Sequence, residues 1–167
     1  MSIEELNNLN TNKACEEFFK CCGSTMWAQQ LAKKKPFKNK EELVYISDSI
    51  WANCSAQDGL EAFTHHPKIG DLKSLEKKFA VTKEWAGGEQ SGVNNATHNT
   101  LVALAKGNEA YEKKFGYIFI VCATGKTADE MLALLNIRLA NDPATELKIA
   151  MNEQNKITHL RLEKLFL

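Results

Sequence analysis

Tyr117-Ile118-Phe119-Ile120-Val121-Cys122 is the one run of this chain that looks like a β-strand. Its residues are nearly all aromatic or β-branched, the types that suit a pleated surface. Whether it has a sheet to join decides the fold class. It stands isolated between helical patterns, and a lone strand has no ladder partner. It therefore reads as a buried extended or helical segment.

Helical signals surround it on both sides. Upstream, Gly116 is a C-cap for a helical stretch from Asn108 to Lys114, and a helix is expected from about Gly88 to Lys106. The pattern loosens around Val81 to Val93, where Gly87 and Gly88 weaken a helix. Downstream, Thr127 with Glu130 forms a capping box ahead of a helix with Leu132, Leu135 and Leu139 inward. Asp142-Pro143 supplies a cap and an N1 proline for a last helix to Leu165.

The first half is punctuated in the same way. Ser2 to Glu5 is a capping box. Thr11 caps a helix that carries Phe18 and Phe19 and stops at Gly23. Ser24 or Thr25 caps the next, from Met26 to about Lys34 before Pro36. Asn39, with Glu42 three residues on, opens a helix whose apolar face is Leu43, Ile46, Ile50 and Cys54. Gln57 to His65 follows and ends at Pro67, and Asp71 starts another through Phe79. No repeat, low-complexity segment or linker interrupts the pattern. The expected architecture is all-α, a single-domain bundle of about eight or nine helices over residues 1–167.

Composition narrows the function classes. A chain of 167 residues can bury a real core. Its formal net charge is zero, so no basic field argues for nucleic acid or an anionic membrane. No apolar run approaches a transmembrane span, and the acidic start Met1-Ser2-Ile3-Glu4-Glu5 lacks a signal peptide's apolar core. The five cysteines include the adjacent Cys21 and Cys22 and no C-x-x-C pair. They read as reduced thiols in a cytoplasmic protein, with no zinc spacing among them.

Three places carry polar residues that helix packing does not explain. In Thr64-His65-His66-Pro67-Lys68-Ile69-Gly70-Asp71, Pro67 biases His66 away from helix, so an imidazole sits where a helix gives way to a loop. Surface or capping duty is the ordinary use of such a histidine. Glu89-Gln90 follows two glycines at a helix start, where a ligand can approach the backbone; an ordinary first-turn glutamate would look the same. The only arginines are Arg138 and Arg161. Arg138 fits a cation at a helix C-terminus, a structural role. Arg161, with Ile157 and Leu165 four residues either side, lies in or beside an apolar stripe. There it needs a protein carboxylate or a ligand anion, or else snorkels to water. A metal site from His65, His66, Glu89 and His98 is disfavoured, because adjacent histidines rarely share an ion.

Together these blocks resemble the OHCU decarboxylases, which act on 2-oxo-4-hydroxy-4-carboxy-5-ureidoimidazoline in urate degradation. His66-Pro67-Lys68-Ile69-Gly70 is similar to the family's H-P-x-[IL]-G, and Glu89-Gln90-Ser91-Gly92 to its E-Q block. Asn108 with Tyr111 to Ile120 resembles N-x-x-Y-x-x-x-F-G-[FY]-x-F-[IV]. Ile157 to Leu162 resembles the C-terminal I-x-x-[LI]-R-L block. Cys22-Gly23, Trp27 and Pro36-Phe37 match more weakly. The blocks run in order over nearly the whole chain.

The resemblance implies an all-helical fold, usually a homodimer, with no metal or organic cofactor. It implies His66, Glu89 and Arg161 as catalytic residues, and Pro67, Gln90, Phe119 and Ile120 as substrate-contacting. Ala86 departs from it, because many members carry serine there. That departure sustains an alternative, a catalytically inactive ligand-binding module on the same scaffold. The implied chemistry needs no cofactor: the substrate's carboxylate lies next to a C=N bond, which accepts the electrons released with CO2. The protein's task is then to orient the substrate and manage protons.

Overall fold

The computed structural model of the chain describes residues 1–68, 70–85 and 91–167, with side chains described outside 80–85 and 91–97. Among these residues there are nine helices and no strand. They are α1 Ile3–Asn8, α2 Thr11–Cys21, α3 Thr25–Ala32, α4 Lys40–Ala52 and α5 Ala56–Thr64, followed by α6 Leu72–Trp85, α7 Ser91–Phe115, α8 Ala128–Leu139 and α9 Pro143–Lys164.

The caps explain most of these boundaries. Ser2 and Thr127 form the expected capping boxes with Glu5 and Glu130, and Asn39 accepts from the Glu42 N–H. Asp71 accepts from the Ser74 N–H at 2.9 Å, and Asp142 does the same for Thr145. Asn10 rather than Thr11 caps α2, because its extended backbone turns the side-chain oxygen onto the Lys13 N–H. Gly116, with φ at +82°, ends α7 in the left-handed region that glycine tolerates. Residues 118–123 then form neither helix nor strand.

Two boundaries differ from expectation. The helix expected to stop at Phe79 continues to Trp85. The two stretches expected at 88–106 and 108–114 are one helix, α7, that passes straight through Gly107. A Cβ at Gly107 would lie 2.6 Å from Leu135 Cδ2 of α8. The glycine is there for close approach between α7 and α8, not as a stop.

The chain forms two compact units. The first comprises Met1–His66, Ile120–Cys122 and Leu147–Leu167. Its core is built on Phe18, which meets Trp27 and Phe37 edge-on, each at 6.2 Å between ring centres. Leu6, Leu31, Leu43, Ala62 and Leu162 complete it. The buried residues of α4 are Leu43, Ser47 and Trp51, with Ile46, Ile50 and Cys54 only partly buried beside them. The buried face is rotated from the expected one, and both core tryptophans find backbone acceptors. Trp27 Nε1 donates to the Ser47 carbonyl, and Trp51 Nε1 to that of Met151.

The second unit comprises Pro67–Phe119 and Ala123–Glu146. Its inward line on α8 is Met131, Leu135 and Arg138, with Leu132 and Leu139 half-buried. Arg138 is thus buried, not a helix-end cation in water. Its guanidinium bonds Glu146 Oε1 through Nε at 2.7 Å and through an η nitrogen at 2.5 Å. Tyr111 OH donates to the same carboxylate, and Asn141 Nδ2 donates to its other oxygen at 3.0 Å. The Phe119 ring lies under the guanidinium at 4.5 Å. Glu146 is wholly buried, and among the described residues Arg138, Tyr111 and Asn141 hold its charge.

Removing that carboxylate leaves a buried cation without its anion. Glu146→Ala is expected to destabilise the fold by about 3–5 kcal/mol, read from urea unfolding. A loss below about 1 kcal/mol would show that water reaches Arg138 and satisfies it.

Candidate active site

Helix α5 delivers the histidines. The chain leaves helical geometry at His65, its C-cap, and the His66 N–H still reaches the Phe63 carbonyl at 3.3 Å. The expected junction of helix and loop is therefore where His66 sits. Gly23, at the corner between α2 and α3, admits this end of α5. A Cβ there would fall 2.5 Å from His65 Cβ. The His65 ring meets Phe19 edge-on at 4.9 Å. His65 thus anchors the turn, and His66 is the imidazole left to face α9.

Helix α9 supplies the rest. Glu146, Ala150, Gln154, Thr158 and Leu162 follow one another at four-residue steps, and all are buried. Ile157 and Leu165, the expected stripe around Arg161, are only half-buried. Arg161 therefore borders the buried line without belonging to it. One guanidinium nitrogen reaches the Cys21 carbonyl at 3.4 Å, near the C-terminus of α2, where the helix dipole favours a cation. Another lies 3.5 Å from His66 Nδ1. The other edge of His66 is bonded, Nε2 to Gln154 Oε1, at 2.5 Å. Gln154 Nε2 donates to Thr158 Oγ1 at 3.2 Å, and that hydroxyl donates to the Gln154 carbonyl at 3.0 Å.

The electrostatics of this group favour one neutral base beside one cation. Burial lowers the pKa of His66, and the Arg161 and His65 charges lower it further, against an opposing effect of the Gln154 bond. Burial pushes the Cys21 thiol up to about 12 and the Cys22 thiol up to about 11. Both thiols stay protonated at neutral pH, so neither offers Arg161 an anion. Among the described residues no carboxylate lies within ion-pair distance of Arg161.

Of the residues singled out in the sequence, the structure brings His66 and Arg161 together, 95 positions apart in the chain. Ile120 is buried in the same unit, where the next-but-one residue, Cys122, donates its N–H to Glu153 of α9 at 2.8 Å. Phe119 falls in the second unit, between Arg138 and the Tyr111 ring at 5.2 Å. Pro67 is exposed at the start of the second unit. Glu89, Gln90 and Ala86 lie outside the described residues. His98 is on α7, 3.7 Å from Glu76. Among the described residues no cluster of three or more His, Cys, Asp or Glu could hold a metal ion.

Gln154 and Thr158 were not singled out in the sequence. The signal was present: two polar residues recur at four-residue steps between Ala150 and Leu162, three and seven positions before an arginine.

Comparison with known proteins places these residues in context. A family model described as OHCU decarboxylase matches residues 7–163. The uric acid degradation bifunctional protein TTL of Arabidopsis thaliana is 40% identical over 152 residues, 90% of this chain and 47% of that protein. The chain thus spans about half the length of that relative. A 2-oxo-4-hydroxy-4-carboxy-5-ureidoimidazoline decarboxylase of Haloferax volcanii is 23% identical over 99% of this chain and 96% of its own length. Among solved structures, an OHCU decarboxylase crystallised in the presence of (S)-allantoin is 39% identical and superposes with a TM-score of 0.72. The match covers 90% of this chain and 97% of that one.

The lowered pKa of His66 has a consequence for stability. Below about pH 6.5 the unfolded chain binds a proton at this histidine that the folded chain resists. The stability contribution is present above that pH and is lost as pH falls through the folded value. Urea unfolding of wild type and His66→Asn, compared from pH 7.5 to 5, is expected to show the wild type losing stability faster. Parallel curves would place His66 in water.

Proposed function

Because this chain belongs to the OHCU decarboxylase family, we propose that it converts 2-oxo-4-hydroxy-4-carboxy-5-ureidoimidazoline to (S)-allantoin and CO2. The observation that carries this is the pairing of a neutral imidazole with a guanidinium, His66 Nδ1 and Arg161, 3.5 Å apart. A substrate bearing a carboxylate and a hydroxyl on one carbon presents a proton for the imidazole and an anion for the guanidinium.

In the proposed reaction Arg161 holds an anionic or polar part of the substrate by charge-assisted bonds. His66 takes the hydroxyl proton. The bond from ring carbon to carboxylate breaks and CO2 leaves; the electron pair forms a C=C bond to the neighbouring carbon, and the displaced C=N pair takes a proton from water at nitrogen. The hydroxyl oxygen collapses to the carbonyl of the product, and protonation of the neighbouring carbon on one face makes it (S). Glu89 and Gln90 hold the ureido and ring nitrogens, and Pro67, Phe119 and Ile120 contact the substrate. The substrate supplies its own electron sink, so the reaction runs without metal or organic cofactor. Residues 1–167 act as one domain, and the protein works as a cytoplasmic homodimer, as its motifs imply. No described helix is long and apolar enough to cross a membrane.

Substrate generated in situ from urate by the upstream enzymes, with allantoin followed by circular dichroism, tests this reading. His66→Asn is expected to lower the rate by ~10² to 10⁴, the usual worth of general acid–base help. His65→Asn is expected to cost less than about tenfold, and dialysis against a strong chelator nothing. Equal losses at the two histidines, or activity restored only by added metal, would overturn the mechanism. Binding of substrate without turnover by the wild type would favour the inactive binding module.

Arg161→Lys keeps the charge and loses the fork that reaches the Cys21 carbonyl and faces His66. It is expected to lose at least about tenfold in kcat/KM, or ~1.4 kcal/mol of transition-state binding. Wild-type kinetics for the lysine variant would make Arg161 a structural residue.

A further inference from the structure

We infer that Gln154 is a positioning residue that holds His66 as the Nε2–H tautomer, leaving Nδ1 as the basic atom turned toward Arg161. This rests on the decarboxylase reading for its catalytic meaning and on geometry for the tautomer itself.

Both edges of the ring select the same form. A guanidinium nitrogen can only donate. Nδ1, 3.5 Å from Arg161, is therefore the lone-pair edge of neutral His66, and the ring proton sits on Nε2. At the opposite edge, Nε2 needs an acceptor and meets Gln154 Oε1. An amide could rotate and present its NH2 group there instead. Thr158 prevents this. Its one hydroxyl proton is committed to the Gln154 carbonyl, so Oγ1 faces the side-chain amide as an acceptor and takes the Gln154 N–H. Rotation would leave amide oxygen against hydroxyl oxygen and amide nitrogen against a protonated ring nitrogen. Gln154 and Thr158 are both buried, so water cannot repair either mismatch.

The chemical consequence is directional. Nδ1 receives the substrate's hydroxyl proton on the side where Arg161 holds the anion. The Nε2–H bond to Gln154 persists in the imidazolium, so the ring need not turn during the proton transfer. Gln154 is neutral, and this is material. Among the described residues, the charged and titratable groups acting on His66 are Arg161 on α9 and His65 beside it in the chain. A carboxylate in place of the amide would raise the pKa of His66 and protonate it nearer neutral pH, removing the base.

The test is nitrogen NMR of the folded protein labelled with 15N-histidine. The His66 signals are identified by their absence from His66→Asn, and coupling patterns report which ring nitrogen carries the proton. Wild type is expected to show neutral His66 protonated at Nε2. In Gln154→Leu that preference is expected to weaken, and kcat to fall at least about tenfold with KM little changed. Gln154→Glu is expected to keep the tautomer while its acidic limb of kcat/KM moves to higher pH. Thr158→Ser should behave as wild type, because the hydroxyl is retained. Wild-type His66 protonated at Nδ1 would overturn the proposal. So would a Gln154→Glu profile whose acidic limb does not move, even if Gln154→Leu failed to fold. The spectrum is recorded without turnover, so a protein that makes no allantoin would sink the decarboxylase reading and leave the tautomer question answered.

Discussion

A buried polar group must find its hydrogen bonds inside the protein, and α9 places three such groups on one line. Glu146, Gln154 and Thr158 share it with Ala150 and Leu162. Each unmet bond at such depth costs on the order of 1–3 kcal/mol, and an unpaired charge more. Much of the polar chemistry of the chain is the answer to that demand. Arg138, Tyr111 and Asn141 converge on Glu146. His66 meets Gln154, and Thr158 closes back on its own helix. The same rule therefore fixes a structural ion pair at one end of α9 and an imidazole farther along it.

Burial also sets the protonation states that make the site usable. A half-buried histidine beside a guanidinium resists a proton, and two buried thiols resist losing one. Among the described residues, the Arg161 charge therefore lies beside groups that are neutral and has no carboxylate within ion-pair distance. The geometry that keeps His66 neutral is also what leaves it able to accept a proton.

The helical punctuation was legible in the sequence because caps are local. Ser2, Asn39, Thr127 and Asp142 act within a few residues of themselves. Gly107 misled for the opposite reason. It serves a neighbour in another helix, Leu135, and nothing local distinguishes that glycine from a helix stop. Arg138 was legible as a structural cation in the last turn of α8, but its burial was not, because its partner Glu146 lies in the next helix. His66 and Arg161 were legible through motif resemblance, yet their contact across 95 positions is a property of the fold. Gln154 escaped notice since glutamine in a helix is ordinary; only its burial gives it meaning.

The two arginines of a lysine-rich chain share a physical requirement. A lysine offers one point charge on a flexible stem, whereas a guanidinium presents donors in fixed directions around a plane. Arg138 uses those directions on Glu146 and lays its face over Phe119. Arg161 uses them on the Cys21 carbonyl and toward the lone pair of His66. At Arg138 the donors meet a protein carboxylate, and the outcome is a closed structural pair. At Arg161 the described residues supply only uncharged acceptors, each at long range, so they orient the cation without neutralising it. The difference between the two guanidiniums lies in their partners, not in the residue type: one closes on a carboxylate, the other meets a carbonyl oxygen and an imidazole nitrogen.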